Sequence, residues 1–547
     1  MAGGPYDQTV QASYLGPRLT ASLDGIAAPR VLVLARTREA GSVVAQQAPP
    51  RAVVDVVMFT GDVDELQVEL AKLPCPDLIV DICGGAKGPG RIKRSTTRLT
   101  VGGELLFWLG DAPGSPDRRA VEEMLSEVRS AQQAPHFRPP DKRRDLRPRS
   151  LRDLHALAAS VDRVSVDDAW VRLHATRGLL ARVPELQMND VLRQRPDVGR
   201  IMHVEPADTW TRQSRFASSQ PGEEGPDTVT APELSLREYR DVVCEPRMAA
   251  HVARILLPES LRNPLRRRGG SQVVIDWMSG AAVTTETEPA NPLPGVWFYL
   301  DNPMRGHFGH ALTEQLGHLW AWRRALAEWP ELKLLMLGGE VVRDWEYRLL
   351  EAAGIGRDRV LATAGPVRVE RLVTASAGYV IGEYIHSAQK DLYLQVGAHL
   401  AADSELSRTP ARIFVTRASD KRRCTNQDEV EQLFVAHGFE IIDPETMPLA
   451  DQVTYFRNAE IVAGFGGSGM FHALTAPHIR AMIVISSASY HMANEIIIAA
   501  YWGVPISIFR GGSKTTTERF SVAMFHSDYT IDWDREGAQL RSEVAEL

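Results

Sequence analysis

The feature that most constrains this chain is an alternation. From Arg412 to Phe509, five short apolar runs occur: Ile413–Thr416, Glu440–Ile442, Ile461–Gly464, Met482–Ser486 and Ile506–Phe509. Stretches near 427–437, 449–458, 469–476 and 490–502 separate them and carry helical spacing. Runs of this kind suit strands buried on both faces, and intervening helices suit a parallel sheet. A similar series precedes it, with strands expected at Gln272–Trp277, Val296–Leu300, Leu332–Leu337, Arg359–Ala364 and Tyr379–Gly382. Helices are expected over Gly306–Trp329 and Val341–Ala353. Two consecutive α/β halves imply a cleft, with ligand at the carboxyl ends of the strands.

The N-terminal part has its own α/β pattern, with strands expected at Arg30–Ala35, Val53–Phe59, Pro76–Cys83 and Glu104–Leu109. "TVGGELLFWLG" resembles the late turn and strand of a methyltransferase-type Rossmann domain, but "ARTREAGS" after the first strand is not a glycine fingerprint. "GGAKGPGR" (Gly84–Arg91) reads either as a phosphate cradle or as a surface loop. "HFRPPDKRRDLRPRS" (His136–Ser150) is Pro-rich with six basic residues, a linker or a contact for an acidic lipid surface or polyanion. "SSQPGEEGPDTVTAPE" (Ser218–Glu233) reads as a flexible excursion.

These readings give an N-terminal Rossmann-like domain over 1–135, a basic linker over 136–150 and a mixed connecting segment over 151–250. Two α/β halves then follow over 251–405 and 406–515, with a tail over 516–547. A chain of 547 residues has room for two or three such domains. A net charge of −7 argues against a nucleic-acid partner, whose signature is a basic excess. Four cysteines without CxxC spacing point to a reducing compartment, and neither a leader peptide nor a membrane helix is expected. The expectation is therefore a soluble, cytoplasmic protein, with peripheral contact at the inner face of a membrane left open.

"EIVAGFGGSGMFHAL" (Glu460–Leu474) joins an apolar strand to a helix through Gly464, Gly466 and Gly469, the G-x-G-x-x-G spacing. A dehydrogenase reading requires this loop after the first strand of its sheet and an acidic residue about 20 residues on. Here it follows the third strand of its half, and "VISSASYH" holds no carboxylate. Gly466-Gly-Ser468-Gly-Met470 is not G-x-S-x-G either. What remains is a close-approach loop whose free N–H groups and helix end favour an anion such as a diphosphate, against the alternative of a tight packing turn.

Upstream of the loop stands "ARIFVTRASDKRRCTNQDEVEQLFVAHGFEIIDPETMPLADQVTYFRNAE", and farther upstream "LDNPMRGHFGHALTEQLGHLWAW". Together with the loop, these stretches resemble family 61 glycosyltransferases over roughly residues 270–510. Arg417, Arg423, Asn426, Glu429, Glu445, Gln452, Gly464, Gly467, Gly469, His310 and Glu314 fall at matching places. Gly466 stands where the family usually has His, and His472 where Asn often follows. The resemblance implies a GT-B fold of two Rossmann-like halves and an inverting transfer from a nucleotide-activated sugar without metal.

Such a transfer needs a base for the acceptor hydroxyl and positive charge for the departing diphosphate. His310 is the candidate base, with Glu314 one turn later as its orienter or as the base itself. Arg305 and His307 are placed on the acceptor side, while His318 has a structural or surface reading. Arg417, Arg423, Asn426, Glu445, Gly466, Gly467, Ser468, Gly469 and His472 form the expected donor and phosphate set. Lys421 and Arg422 read as solvent-facing, and Gln452 as packing. Asp62–Asp64 and Asp532–Asp534 have D-x-D form but follow no core strand of a nucleotide-binding half, so no metal or other cofactor is expected.

The function expected is a metal-independent glycosyltransferase moving a sugar from a nucleotide sugar, a UDP-sugar first, to a glycan or glycoconjugate in bacterial polysaccharide synthesis. The competing readings are a bifunctional enzyme with an active N-terminal transferase domain and an inactive nucleotide-sugar-binding scaffold. Oligomeric state is left open.

Overall fold

The computed structural model describes all residues except 1–7, 85–86, 111–113, 135–148, 168, 212–214, 221, 224, 247, 262–273, 278–279, 284–289, 419–420, 491–492, 516–520 and 547. Most of the basic linker, the start of the strand expected at Gln272 and the front of the tail lie outside the described residues. The chain divides into two compact units, residues 1–201, 237–295 and 364–372 in one, and residues 202–236, 296–363 and 373–547 in the other.

In the first unit, Val53–Met58, Arg30–Ala35, Leu78–Asp81 and Glu104–Trp108 run parallel in that spatial order. The sheet ends in two antiparallel strands, Trp170–Ala175 and Val161–Asp167. Leu32, Leu34, Ile79 and Leu105 pack on one face, and Val31, Val33, Val80 and Leu106 on the other. Burial on both faces is why these strands read as continuous apolar runs rather than alternating ones.

The last residue of the segment read as a possible phosphate cradle turns inward. Arg91 is fully buried, donates to Asp81 Oδ2 at 2.8 Å, and lies 5.1 and 5.0 Å from the ring centroids of Phe59 and Phe107. Arg36, after the first strand, donates to the carbonyl of Cys83 at 2.8 Å. The chain's own arginines thus sit where the strands of this sheet end.

The second unit holds two parallel arrays. Asn291–Tyr299, Lys333–Leu337 and Val360–Thr363 pair in parallel, with the register Trp297 to Lys333 and Leu334 to Val360. The other sheet has the order Phe216–Ser218, Ile506–Ser513, Ala481–Ser487, Ile461–Phe465, Arg412–Val415, Glu440–Ile442, all parallel. Its edge strand, Phe216–Ser218, leads into the stretch read as a flexible excursion. That stretch is pinned: Ser219 N–H bonds the carbonyl of Ile508 at 2.9 Å, and Glu223 accepts both faces of the Arg510 fork.

The long helix expected over Gly306–Trp329 is broken. Phe308–His310 is α, Ala311–Gln315 is π, Leu316–Ala321 is 3-10 and Trp322–Glu328 is α again. The cause is tertiary. The Gly317 carbonyl accepts the N–H of Gly378 at 2.8 Å and the Gln389 side-chain amide, which withdraws it from the helical ladder.

Candidate active site

The strand Ile461–Phe465 lies in the middle of its sheet, so the loop after it opens at the carboxyl ends of the neighbouring strands. Gly467 has φ +149° and ψ −170°, outside the range side chains favour. A Cβ there would come 2.9 Å from Arg417 Nη1 and 3.6 Å from Arg422 Nη2. Gly467 therefore lets two guanidinium groups close onto the loop backbone. Arg417 also donates to the Gly466 carbonyl at 3.1 Å. Burial first, and then the Arg422 charge, lowers the Arg417 pKa.

Arg422 is the residue that sequence reasoning sent to solvent. It has φ +56°, rare for a residue with a side chain, and its guanidinium lies 4.1 Å from the Tyr490 ring centroid and 5.2 Å from that of Phe525. No local signal separates it from its neighbour Arg423, because Tyr490 and Phe525 are distant in sequence.

Beneath the loop, Glu495 is fully buried and accepts the Gly467 N–H at 2.8 Å. Burial pushes its carboxyl up, while that hydrogen bond and the charges of Arg422 and Arg510 act in the opposite sense. Sequence reading missed it, since one Glu opening the apolar helix Asn494–Trp502 looks like an ordinary first-turn acid.

The helix carrying the candidate base meets this loop directly. A Cβ on Gly309 would come 2.8 Å from the Ser468 Cβ, so only glycine permits the approach. His310 Nδ1 lies 2.6 Å from Glu314 Oε2, and Asn302 Nδ2 approaches the same carboxylate at 3.4 Å. Glu314 is buried and His310 is partly open. The His307 ring lies 4.7 Å from that of His310, and burial first, then the His310 charge, lowers its pKa.

A cavity of about 590 Å³ is lined by Arg417, Glu445, Gly467, Ser468 and Gly469, and also by Phe308, Arg343 and Trp345. His472 lines it too but is turned to packing. Its ring lies between Phe308 and Phe456, with centroids 5.0 and 5.3 Å away, and Nε2 is 2.8 Å from Gln452 Oε1. The Gln452 amide nitrogen donates to the Met447 carbonyl, so its oxygen accepts and His472 carries its proton on Nε2. Burial lowers the His472 pKa to about 3, so the ring is neutral and its N–H is already used.

Other expected site residues lie elsewhere. Arg423 is exposed and faces Asp528, with its backbone N–H 3.0 Å from Asp528 Oδ1. Asn426 bonds both the carbonyl and the N–H of Ile531, at 2.9 and 3.1 Å, and so fastens the C-terminal segment. Arg305 donates to the carbonyls of Leu337, Gly339 and Val341. His318 bonds the Ala375 carbonyl. Asp62 caps its helix, and the Asp534 N–H bonds Asp532 Oδ1. Among the described residues, no three His, Cys, Asp or Glu converge as a metal site. No helix among them is long and apolar enough to cross a membrane.

Residues 308–483 match the family described as Glycosyltransferase 61. No curated protein matches the chain. Among solved structures, the MycE methyltransferase from the mycinamycin biosynthetic pathway, in complex with Mg, SAH and mycinamycin VI, is 14% identical with a TM-score of 0.23. The match covers 31% of this chain and 50% of that one. The same enzyme with Mg and SAH, crystal form 1, is 13% identical, covering 31% and 51%, with a TM-score of 0.22. This chain thus spans about half the length of those structures, and the likeness, in the N-terminal part, is too weak to bear on chemistry. The Glycosyltransferase 61 match over residues 308–483 encloses both the His310 helix and the glycine loop.

Proposed function

We propose that this protein is an inverting glycosyltransferase of GT-B type, moving a sugar from a nucleoside diphosphate donor, a UDP-sugar first, to a glycan or glycoconjugate hydroxyl. The observation that carries the reading is the convergence of Arg417 and Arg422 on Gly467 at the end of a central parallel strand. Two guanidinium forks over a loop without side chains suit an anion of more than one charge, and a diphosphate is such an anion.

In the transfer, the acceptor oxygen attacks the anomeric carbon, the bond to the diphosphate breaks, and the nucleoside diphosphate leaves with the electron pair. In this scheme His310 keeps its proton on Nδ1 and donates a hydrogen bond from it to Glu314, so that the unprotonated Nε2 receives the proton of the acceptor hydroxyl and the ring becomes an imidazolium. Glu314 then stabilises the imidazolium. Arg417 and Arg422 supply the positive charge at the leaving group, so the reaction as proposed uses no metal and no other cofactor. Arg423 and His472 have no phosphate role in this scheme, since each is engaged elsewhere.

The buried Arg91–Asp81 pair supports leaving the N-terminal sheet outside the chemistry. A place in polysaccharide synthesis rests on the family resemblance, and the cytoplasmic side on the cysteine usage of the sequence. Calorimetric titration with UDP and UDP-sugars tests the reading. Micromolar binding that Arg422→Ala abolishes supports it, and a wild-type protein that ignores every nucleoside diphosphate rejects it.

A further inference from the structure

The cavity has a second region that the diphosphate reading does not use. Phe308 and Trp345 meet edge to face there, with ring centroids 5.5 Å apart, and Arg343 lies beside them. Among the described residues the Arg343 guanidinium has no ion pair and no hydrogen bond, although its backbone N–H bonds Glu346 at 2.9 Å. In another surface cavity, by contrast, Arg368 is matched by Asp241 and Arg371 by Glu238.

The Arg343 side chain, open to solvent, also rests against Gly306. Gly306 has φ +77°, and a Cβ there would lie 3.3 Å from Cζ, Nε and Nη2 of Arg343. The bare glycine therefore forms a seat under the guanidinium plane. A seated cation without a carboxylate partner, beside an aromatic pair, has a specific chemical complement. The apolar face of a sugar ring stacks on the aromatic side chains, and an anionic substituent on that ring meets the guanidinium fork.

We infer that Arg343 reads a carboxylate or phosphate carried by the sugar that occupies the Phe308–Trp345 end of the cavity, so that the enzyme acts on an acidic sugar. The ligand's being a sugar rests on the glycosyl-transfer reading above. The anion preference rests on Arg343 and Gly306 alone. The acidic sugar is either the transferred residue of the donor or the terminal residue of the acceptor.

Three probes separate these cases on the full chain and on Arg343→Gln, with thermal unfolding confirming that the variant folds. UDP-glucuronic acid is compared with UDP-glucose by calorimetry. Methyl glucuronide and methyl glucoside are compared by saturation-transfer NMR in the presence of UDP. UDP alone is titrated as the reference. An acidic donor binding about tenfold tighter than the neutral one, or selective signal from the glucuronide, supports the inference and identifies the source. Arg343→Gln should erase that preference while leaving UDP affinity unchanged. Equal binding of acidic and neutral probes by the wild type, or a preference untouched in Arg343→Gln, overturns it. If UDP fails to bind but the glucuronide preference persists and depends on Arg343, the inference stands and the nucleotide-donor reading falls.

Discussion

Arg417 Nη1 lies 2.9 Å from the point where a Cβ on Gly467 would stand, so the arginine and the glycine exclude any side chain between them. The relation ties one strand end to the next through space, and it makes the loop a place where backbone and ligand meet. A branched residue at 467 must displace the guanidinium and also adopt a backbone angle that costs of order 1–3 kcal/mol. Gly467→Val should weaken UDP binding by about tenfold or more in calorimetry, while far-UV circular dichroism stays native. Unchanged affinity would reduce the loop to a packing turn.

The His310–Glu314 pair predicts a split between turnover and binding. His310→Ala should lower kcat by about 10²–10⁴-fold at saturating donor, with donor affinity nearly intact. Glu314→Gln should cost less if the carboxylate only orients the ring and more if it is itself the base. Near wild-type turnover in both folded variants would move the acceptor site away from this helix.

Charge supplied by Arg417 and Arg422 predicts that transfer persists in excess EDTA. Activity lost in chelator and restored by Mn²⁺ or Mg²⁺ would reject the metal-free scheme.

His472 predicts a pH dependence of stability. Burial lowers its folded pKa to about 3, against about 6.5 in an unfolded chain. Between those values the unfolded chain holds the extra proton, so this site removes stability as pH falls below about 6.5, with a slope of up to about 1.4 kcal/mol per pH unit. Urea unfolding at pH 7.0 and 5.0 should show a smaller loss for His472→Asn than for the wild type. Equal losses would mean that another group governs acid sensitivity.

The sequence by itself determined most strands of the parallel sheets, because burial on both faces leaves a local mark. Tyr379–Val380, read as one of them, instead pairs antiparallel with Tyr384–Ile385 in a separate two-stranded sheet. The run Glu440–Ile442 and the helix 449–458 occur in the structure as read, and the glycine loop occupies the strand-to-helix junction its spacing implied. It also marked His310 with Glu314, since a spacing of four residues brings two side chains to one face whether the turn is α or π. Only the tertiary structure decided which cations meet the loop. Arg422 and Arg423 are adjacent and chemically identical, yet the first is drawn onto Tyr490 and Phe525 and the second onto Asp528. It likewise broke the long helix at Gly317 and placed Glu495 under Gly467. Apolar periodicity is written along the chain because each element must bury one face, whereas a charged side chain takes its role from partners that folding brings to it from far away.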